Sequence, residues 1–241
     1  MQLHLSSWPE VEAYLKTSKA ILIPIGSTEQ HGPNGLIGTD CICPETIARR
    51  AGDEADFLVG PTFNVGQAQH HMGFPGTITL RPSTMIAAMT DWAGSLARHG
   101  FERLYWLNGH GGNISTINAS FSEIYHAAPE RKVRCVLRNW WELPGVSDLC
   151  KQLFPVGEGH HATPSEVSLS YFAHPEAIKR AEMSPKIAPI GPIHDAEDYR
   201  RRFPDGRIGS YPSQASVEAG EKLVAVAVTA VIAEFKQFAA S

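Results

Sequence analysis

The run from Ala20 to Ile25, apolar at every position and closed by Gly26, constrains the fold of this chain more than any other segment. A strand with one wet face alternates polar and apolar side chains. Unbroken apolarity marks a strand covered on both faces, the habit of parallel sheets packed between helices. Phe57 to Thr62, Arg103 to Leu107 and Lys132 to Asn139 read as three further strands, and Pro44 to Ala51, Ser83 to His99 and Asn113 to His126 as the helices between them. In Ser83 to His99, Met85, Ile86, Met89, Leu96 and Ala97 share one stripe and Gly100 follows as a stop signal. The order β-α-β-α-β-α-β implies right-handed crossovers and predicts an α/β fold, a three-layer α/β/α sandwich with a mainly parallel central sheet. Ser7 with Pro9 predicts a capped N-terminal helix. Leu223 to Phe238 reads as a packed helix, because Thr229, Glu234 and Lys236 interrupt it and it falls short of the roughly 20 apolar residues a bilayer requires.

At 241 residues and 43% hydrophobic, with no repeat and no low-complexity linker, the chain is expected to form one domain over 1–241. Residues 181–214 carry Pro, Gly, Asp and Arg without a sustained period, compatible with a lid, a loop excursion or a subunit contact. A net charge of −4 with no run of like charges argues against nucleic-acid and membrane partners and for a small neutral or zwitterionic substrate. Cys41, Cys43, Cys135 and Cys150 form no Cys-x-x-Cys pattern, and the N-terminus lacks a basic start followed by an apolar run, so a reducing cytoplasm is expected. The cysteines are assigned no chemistry, since free cysteines usually serve as small buried hydrophobes.

Ligands in an open α/β sheet bind beyond the carboxyl ends of the strands. Two motifs fall there: Gly26-Ser-Thr-Glu29-Gln-His31-Gly-Pro33, with Asp40 following, and Asn108-Gly-His110-Gly-Gly-Asn113. Glu29 and His31 alternate around Gln30, so in extended backbone they face one side together; as a plain surface turn, the same loop leaves them solvated. Glycines around His110 permit close backbone approach. The same loop could be a phosphate cradle at a helix N-terminus, although it matches neither GxGxxG nor a P-loop. A third cluster, His160-His161-Ala-Thr163-Pro-Ser-Glu166, opens an apolar helix, and its Thr163 to Glu166 spacing is that of a capping box. Spacing alone favours a cap for Glu166, while paired imidazoles suit proton transfer.

Together these clusters resemble the creatininase family of metal-dependent hydrolases, whose pattern runs G-S-x-E-Q-H-G-P, G-T-D, N-G-H-G-G-N and H-A-x-x-x-E; here Gly38-Thr39-Asp40 and His161-Ala162 with Glu166 match the second and last. Phe74-Pro-Gly-Thr77 and the Gly209 to Gly220 stretch also resemble family segments. The resemblance implies two divalent ions, zinc or manganese with iron also compatible. It places Glu29 and His110 toward one ion, His31 toward the other, Asp40 between them and Glu166 completing the set. His161 is implied as general acid or base, acting on a non-peptide C–N bond of a small cyclic or linear amide. A peptide-trimming hydrolase on the same scaffold, or a phosphate-binding module without catalysis, are the alternatives. The resemblance further implies a homo-oligomer, of the order of a hexamer. Creatinine-cleaving members carry a carboxylate in the Asn-Gly-His loop where this chain has Gly112, so creatinine is one candidate substrate among several. Trp140 and Trp141 are expected either to wall the substrate site or to pack in the core, His71 to contact substrate or bond its own loop, and Gly111 to approach the substrate.

Overall fold

The computed structural model describes residues 1–127 and 132–241. Three parallel strands, β1 (Ala20–Ile25), β2 (Arg103–Asn108) and β3 (Arg134–Asn139), lie in the order β1-β2-β3. The helices are α1 (Trp8–Tyr14), α2 (Thr39–Ala55), α3 (Pro82–Arg98), α4 (Ile114–Ala127), α5 (Val146–Leu153), α6 (Pro164–Ala173), α7 (Ala196–Arg202) and α8 (Val217–Ala239). Alternate residues of β1 enter opposite cores. Ala20 and Leu22 join α2, α5, α6 and α8 on one face, whereas Ile21, Ile23 and Ile25 join α3 and α4 on the other. That two-sided burial is why the strand contains no polar residue, and it produces the expected three layers.

Two expectations are corrected. Phe57 to Thr62 is not a regular strand; it accompanies β1 through isolated parallel bridges at Val59 and Phe63. Its bonds are Leu22 N–H to Leu58 O, Gly60 N–H to Leu22 O and Phe63 N–H to Pro24 O. Pro24 and Pro61 lack the N–H groups that a continuous ladder needs, so pairing breaks between them. Helix α2 starts at Thr39, five residues before the predicted Pro44, which lies inside it. Asp40 is therefore carried on the first turn of a packed helix and not on a loop. Elsewhere the observed bounds fall close to expectation, including the Ser7–Glu10 capping box of α1. Helix α8 extends further, starting from a Ser216 cap.

A proline at position 44 offers no N–H to the Asp40 carbonyl. That carbonyl instead faces Gly26 and Gly109, where a Cβ at either position would run into it. Glycine at these two sites lets β1 and β2 end against α2, which sets the depth of Asp40. Gly109→Ala is expected to lower stability by about 1–3 kcal/mol through overpacking. Gly94→Ala, with open space around its Cβ in α3, should raise stability by about 0.5–1 kcal/mol. Thermal melts of the two variants should move in opposite directions; a shared direction would contradict the packing.

The strand ends are level: Ile25 pairs with Asn108, and Asn108 with Asn139. Asn108 Nδ2 donates to Asn139 Oδ1 at 2.9 Å, tying the tips together. The segment 181–214 contains α7 and otherwise lacks regular structure beyond a short turn at Pro212–Gln214. It packs Tyr199, Phe203 and Ile208 against Phe74 in a small third core. Fully buried Arg207 anchors it, donating to the carbonyls of Pro185, Lys186 and Ser210 and to Asp205. Among the described residues, no helix is long and apolar enough to cross a membrane.

Candidate metal centre

Beyond the level strand ends, Glu29, His31, Asp40, His110 and Glu166 converge. Among the described residues, ligand atoms form three sets, each within 4.8 Å: Glu29 with Asp40 and His110, His31 with Asp40 and Glu166, and Glu29 with His31 and His161. Asp40 is common to the first two, presenting Oδ1 at 3.0 Å from His31 Nε2 and Oδ2 at 3.0 Å from His110 Nδ1. Glu29 Oε2 lies 3.3 Å from His110 Nε2 and accepts from Ser27 Oγ at 2.9 Å. The Glu166 carboxylate divides its oxygens. Oε1 accepts from the Thr163 N–H and completes the capping box of α6, while Oε2 faces His31 Nε2 at 3.9 Å. Cap and cluster member are thus the same side chain.

Outer partners set which imidazole nitrogen faces the cluster. The carbonyl of Glu29 lies 3.2 Å from His31 Nδ1, and that of Gln67 lies 3.0 Å from His110 Nε2. Carbonyls only accept, so both nitrogens carry hydrogen, leaving His31 Nε2 and His110 Nδ1 toward Asp40. Glu29 Oε1 and Asp40 Oδ2 are buried without a hydrogen-bond partner. Imidazole nitrogens approach them to 3.0 Å but out of line for a bond. Buried carboxylate oxygens left with open lone pairs are a costly arrangement unless a cation takes them. Nitrogen and carboxylate donors without thiolate suit zinc or manganese.

Without a metal, protons serve as the compensating cations. Burial draws the His31 imidazole down, but Asp40, Glu166 and Glu29 outweigh it and hold it up to about 10. His110, equally buried, is raised to about 9 by Glu29 and Asp40. Burial also favours a protonated Asp40, yet His31 and His110 overcome that and keep it well below the usual carboxylate range. For Glu29, burial wins and pushes it up to about 7. An ion must displace these protons. Zinc uptake by stripped protein at neutral pH should therefore release on the order of one proton per ion, with affinity rising as pH approaches the His110 and His31 values of about 9 and about 10. The stability that the raised imidazoles lend the stripped protein is complete below their unfolded value, roughly 6.5. It is lost as pH climbs through those raised values. Calorimetry of zinc binding in two buffers of different ionisation enthalpy counts the protons; none released would contradict this charge balance.

A cavity of about 640 Å³ opens from Asp40, His110 and Glu166 and is walled by Trp140, Trp141 and Gly111. Trp140 fills the core as well, being buried with α5 and α8, while half-buried Trp141 packs on the same core. His161 lies on the cavity wall with Nδ1 4.0 Å from Glu29 Oε1. Burial, then His71 and His31, hold its imidazole well below the usual range, so it is neutral at pH 7. His160 is exposed at the rim. His71 is not on the wall: it lies behind Glu29, with Nε2 3.0 Å from Oε1. Gly112 is crowded, since a Cβ there would meet His110 Nε2 and stand 2.7 Å from Gln67 O.

Three residues that the sequence reading passed over support the site. Gln30 contacts both His71 and His161, Tyr199 packs on both rings, and Arg207 lies under Gly32 of the Glu29 loop. Gln30 stood between two predicted ligands, which was a signal; the position of Arg207 depends on long-range folding.

The model of the creatininase family, described as creatinine amidohydrolase, matches residues 4–235. The chain belongs to the creatininase family. It is 27% identical to creatinine amidohydrolase of Pseudomonas putida over 242 residues, covering 93% of this chain and 92% of that protein. A mycofactocin precursor peptide peptidase of Mycolicibacterium smegmatis is 32% identical over 106 residues, 42% of each chain. A solved mutant creatininase of Zn-Zn type superposes with a TM-score of 0.87 at 24% identity, covering 98% of each chain, and so shares the creatininase fold.

Proposed function

We propose that this creatininase-family protein is a dinuclear metal-dependent amidohydrolase that cleaves a non-peptide C–N bond of a small cyclic or linear amide. The observation that carries the reading is the pair of ligand sets sharing Asp40. Glu29, Asp40 and His110 would hold one divalent ion, and His31, Asp40 and Glu166 the other, with zinc or manganese fitting the donors. Bound there, the ions would supply an acidified water and a polarised amide carbonyl.

The chain's own groups do the rest. Held below the usual imidazole range, His161 would take a proton at Nδ1 from the attacking water and return it to the departing nitrogen. Trp141 and Trp140 offer an apolar wall to a flat substrate, and Gly111 leaves that wall without a side chain. The likeness to a precursor peptide peptidase, though partial, supports peptide trimming as the second reading. Elemental analysis of purified protein should find close to two divalent ions per chain. Zinc- or manganese-loaded protein should then turn over at least one of creatinine, cyclic ureides or formamides. Cleavage of short peptides alone would favour the second reading, and protein that binds no divalent ion would end both.

A further inference from the structure

Gln30 separates Glu29 from His31, yet its side chain serves none of the ligand sets. Two partners without alternatives fix its amide. The Gly32 N–H donates to Oε1 at 2.8 Å, and the Gly206 carbonyl accepts from Nε2 at 3.0 Å. A flipped amide would set donor against donor and acceptor against acceptor. One N–H is thereby committed to Gly206, which also accepts from the Tyr199 hydroxyl at 2.7 Å. The other N–H has three groups within reach: His71 Nδ1 and His161 Nε2 at 3.0 Å and the Tyr199 hydroxyl oxygen at 3.1 Å.

Of these, His71 is the one left needing a donor. Its Nε2 stands 3.0 Å from Glu29 Oε1, where a bare lone pair would face a carboxylate oxygen, so Nε2 carries hydrogen. Nδ1 is then bare, and Gln30 Nε2 lies 3.0 Å from it as donor. His161 Nε2, also 3.0 Å from the amide nitrogen, has an acceptor of its own and needs no hydrogen from it. Its acceptor is the main-chain carbonyl of Gln30 at 2.9 Å, so Nε2 carries hydrogen here too. His161 Nδ1 is left bare toward Glu29 and His31.

We propose that Gln30 is a positioning residue whose side-chain amide and main-chain carbonyl hold His71 and His161 with hydrogen on Nε2, so that His71 turns an N–H and not a lone pair toward Glu29 while His161 keeps a bare Nδ1 toward Glu29 and His31. The catalytic consequence rests on His161 being the proton acceptor; the tautomers do not.

The test is long-range ¹H–¹⁵N correlation on zinc-loaded, histidine-labelled protein, assigned by single histidine replacements. Pyridine-type Nδ1 and pyrrole-type Nε2 signals are expected for both rings. Gln30→Met removes the donor to His71 while nearly preserving volume. Its His71 should lose the fixed pattern, and kcat should fall about 10–100-fold, with KM and zinc content close to wild type. Hydrogen on Nδ1 of either ring in the wild-type protein overturns the proposal, a reading that needs no variant to fold. So does a Gln30→Met protein with an unchanged His71 spectrum. If the tautomers are as stated but His161→Ala retains full activity, the positioning stands and the catalytic reading of His161 falls.

Discussion

Asp40→Ala protein should emerge from purification with neither metal ion and with hydrolysis below detection. One carboxylate enters two ligand sets, with its two oxygens each 3.0 Å from a different imidazole. Its removal therefore costs each ion a ligand, and it also takes from His31 and His110 the charge that orders them. His31→Ala would by contrast affect mainly the set shared with Glu166, and His110→Ala mainly the set shared with Glu29. Elemental analysis distinguishes the patterns: loss of both ions in Asp40→Ala against graded loss in the others. Full occupancy in Asp40→Ala would refute the shared role.

His161→Ala should show the complementary behaviour, keeping its metals while losing turnover by about 10²–10⁴-fold, the range for removal of a proton-transfer group. The side chain is absent from the two sets that share Asp40, and it approaches Glu29 only at 4.0 Å. Its backbone is held independently of its ring: Ser210 Oγ donates to the His161 carbonyl at 2.6 Å, and Ile208 bridges to it. The alanine variant should consequently fold. Steady-state kinetics beside metal analysis checks the pairing, and activity at the wild-type level would remove His161 from the mechanism.

How much of this was legible in the sequence follows from the range of the interactions. The apolar run of β1 and the stripe of α3 encode local periodicities, so the layers could be read directly. Glu29, His31 and His110 sat in compact motifs at predicted strand ends, and it was the resemblance to the creatininase family, not spacing, that grouped them with Asp40 and Glu166. The division of Glu166 between cap and cluster was open in sequence because both uses need the same spacing; only its distances separate the two oxygens. The interrupted pairing beside β1 turned on two prolines acting together across the ladder, a tertiary effect. The place of His71 behind Glu29, and the docking of residues 181–214 through Arg207, depend on contacts between distant segments that no local pattern records.

The tight surroundings of Gly112 bear on how such a scaffold changes its chemistry. At this point of the loop even a methyl group would press on His110 and on the Gln67 carbonyl that steadies it. A single exchange to glutamate would displace an imidazole before it could contribute an oxygen. Any side chain at this position thus demands that the segment carrying Gln67 and the loop carrying His110 move together.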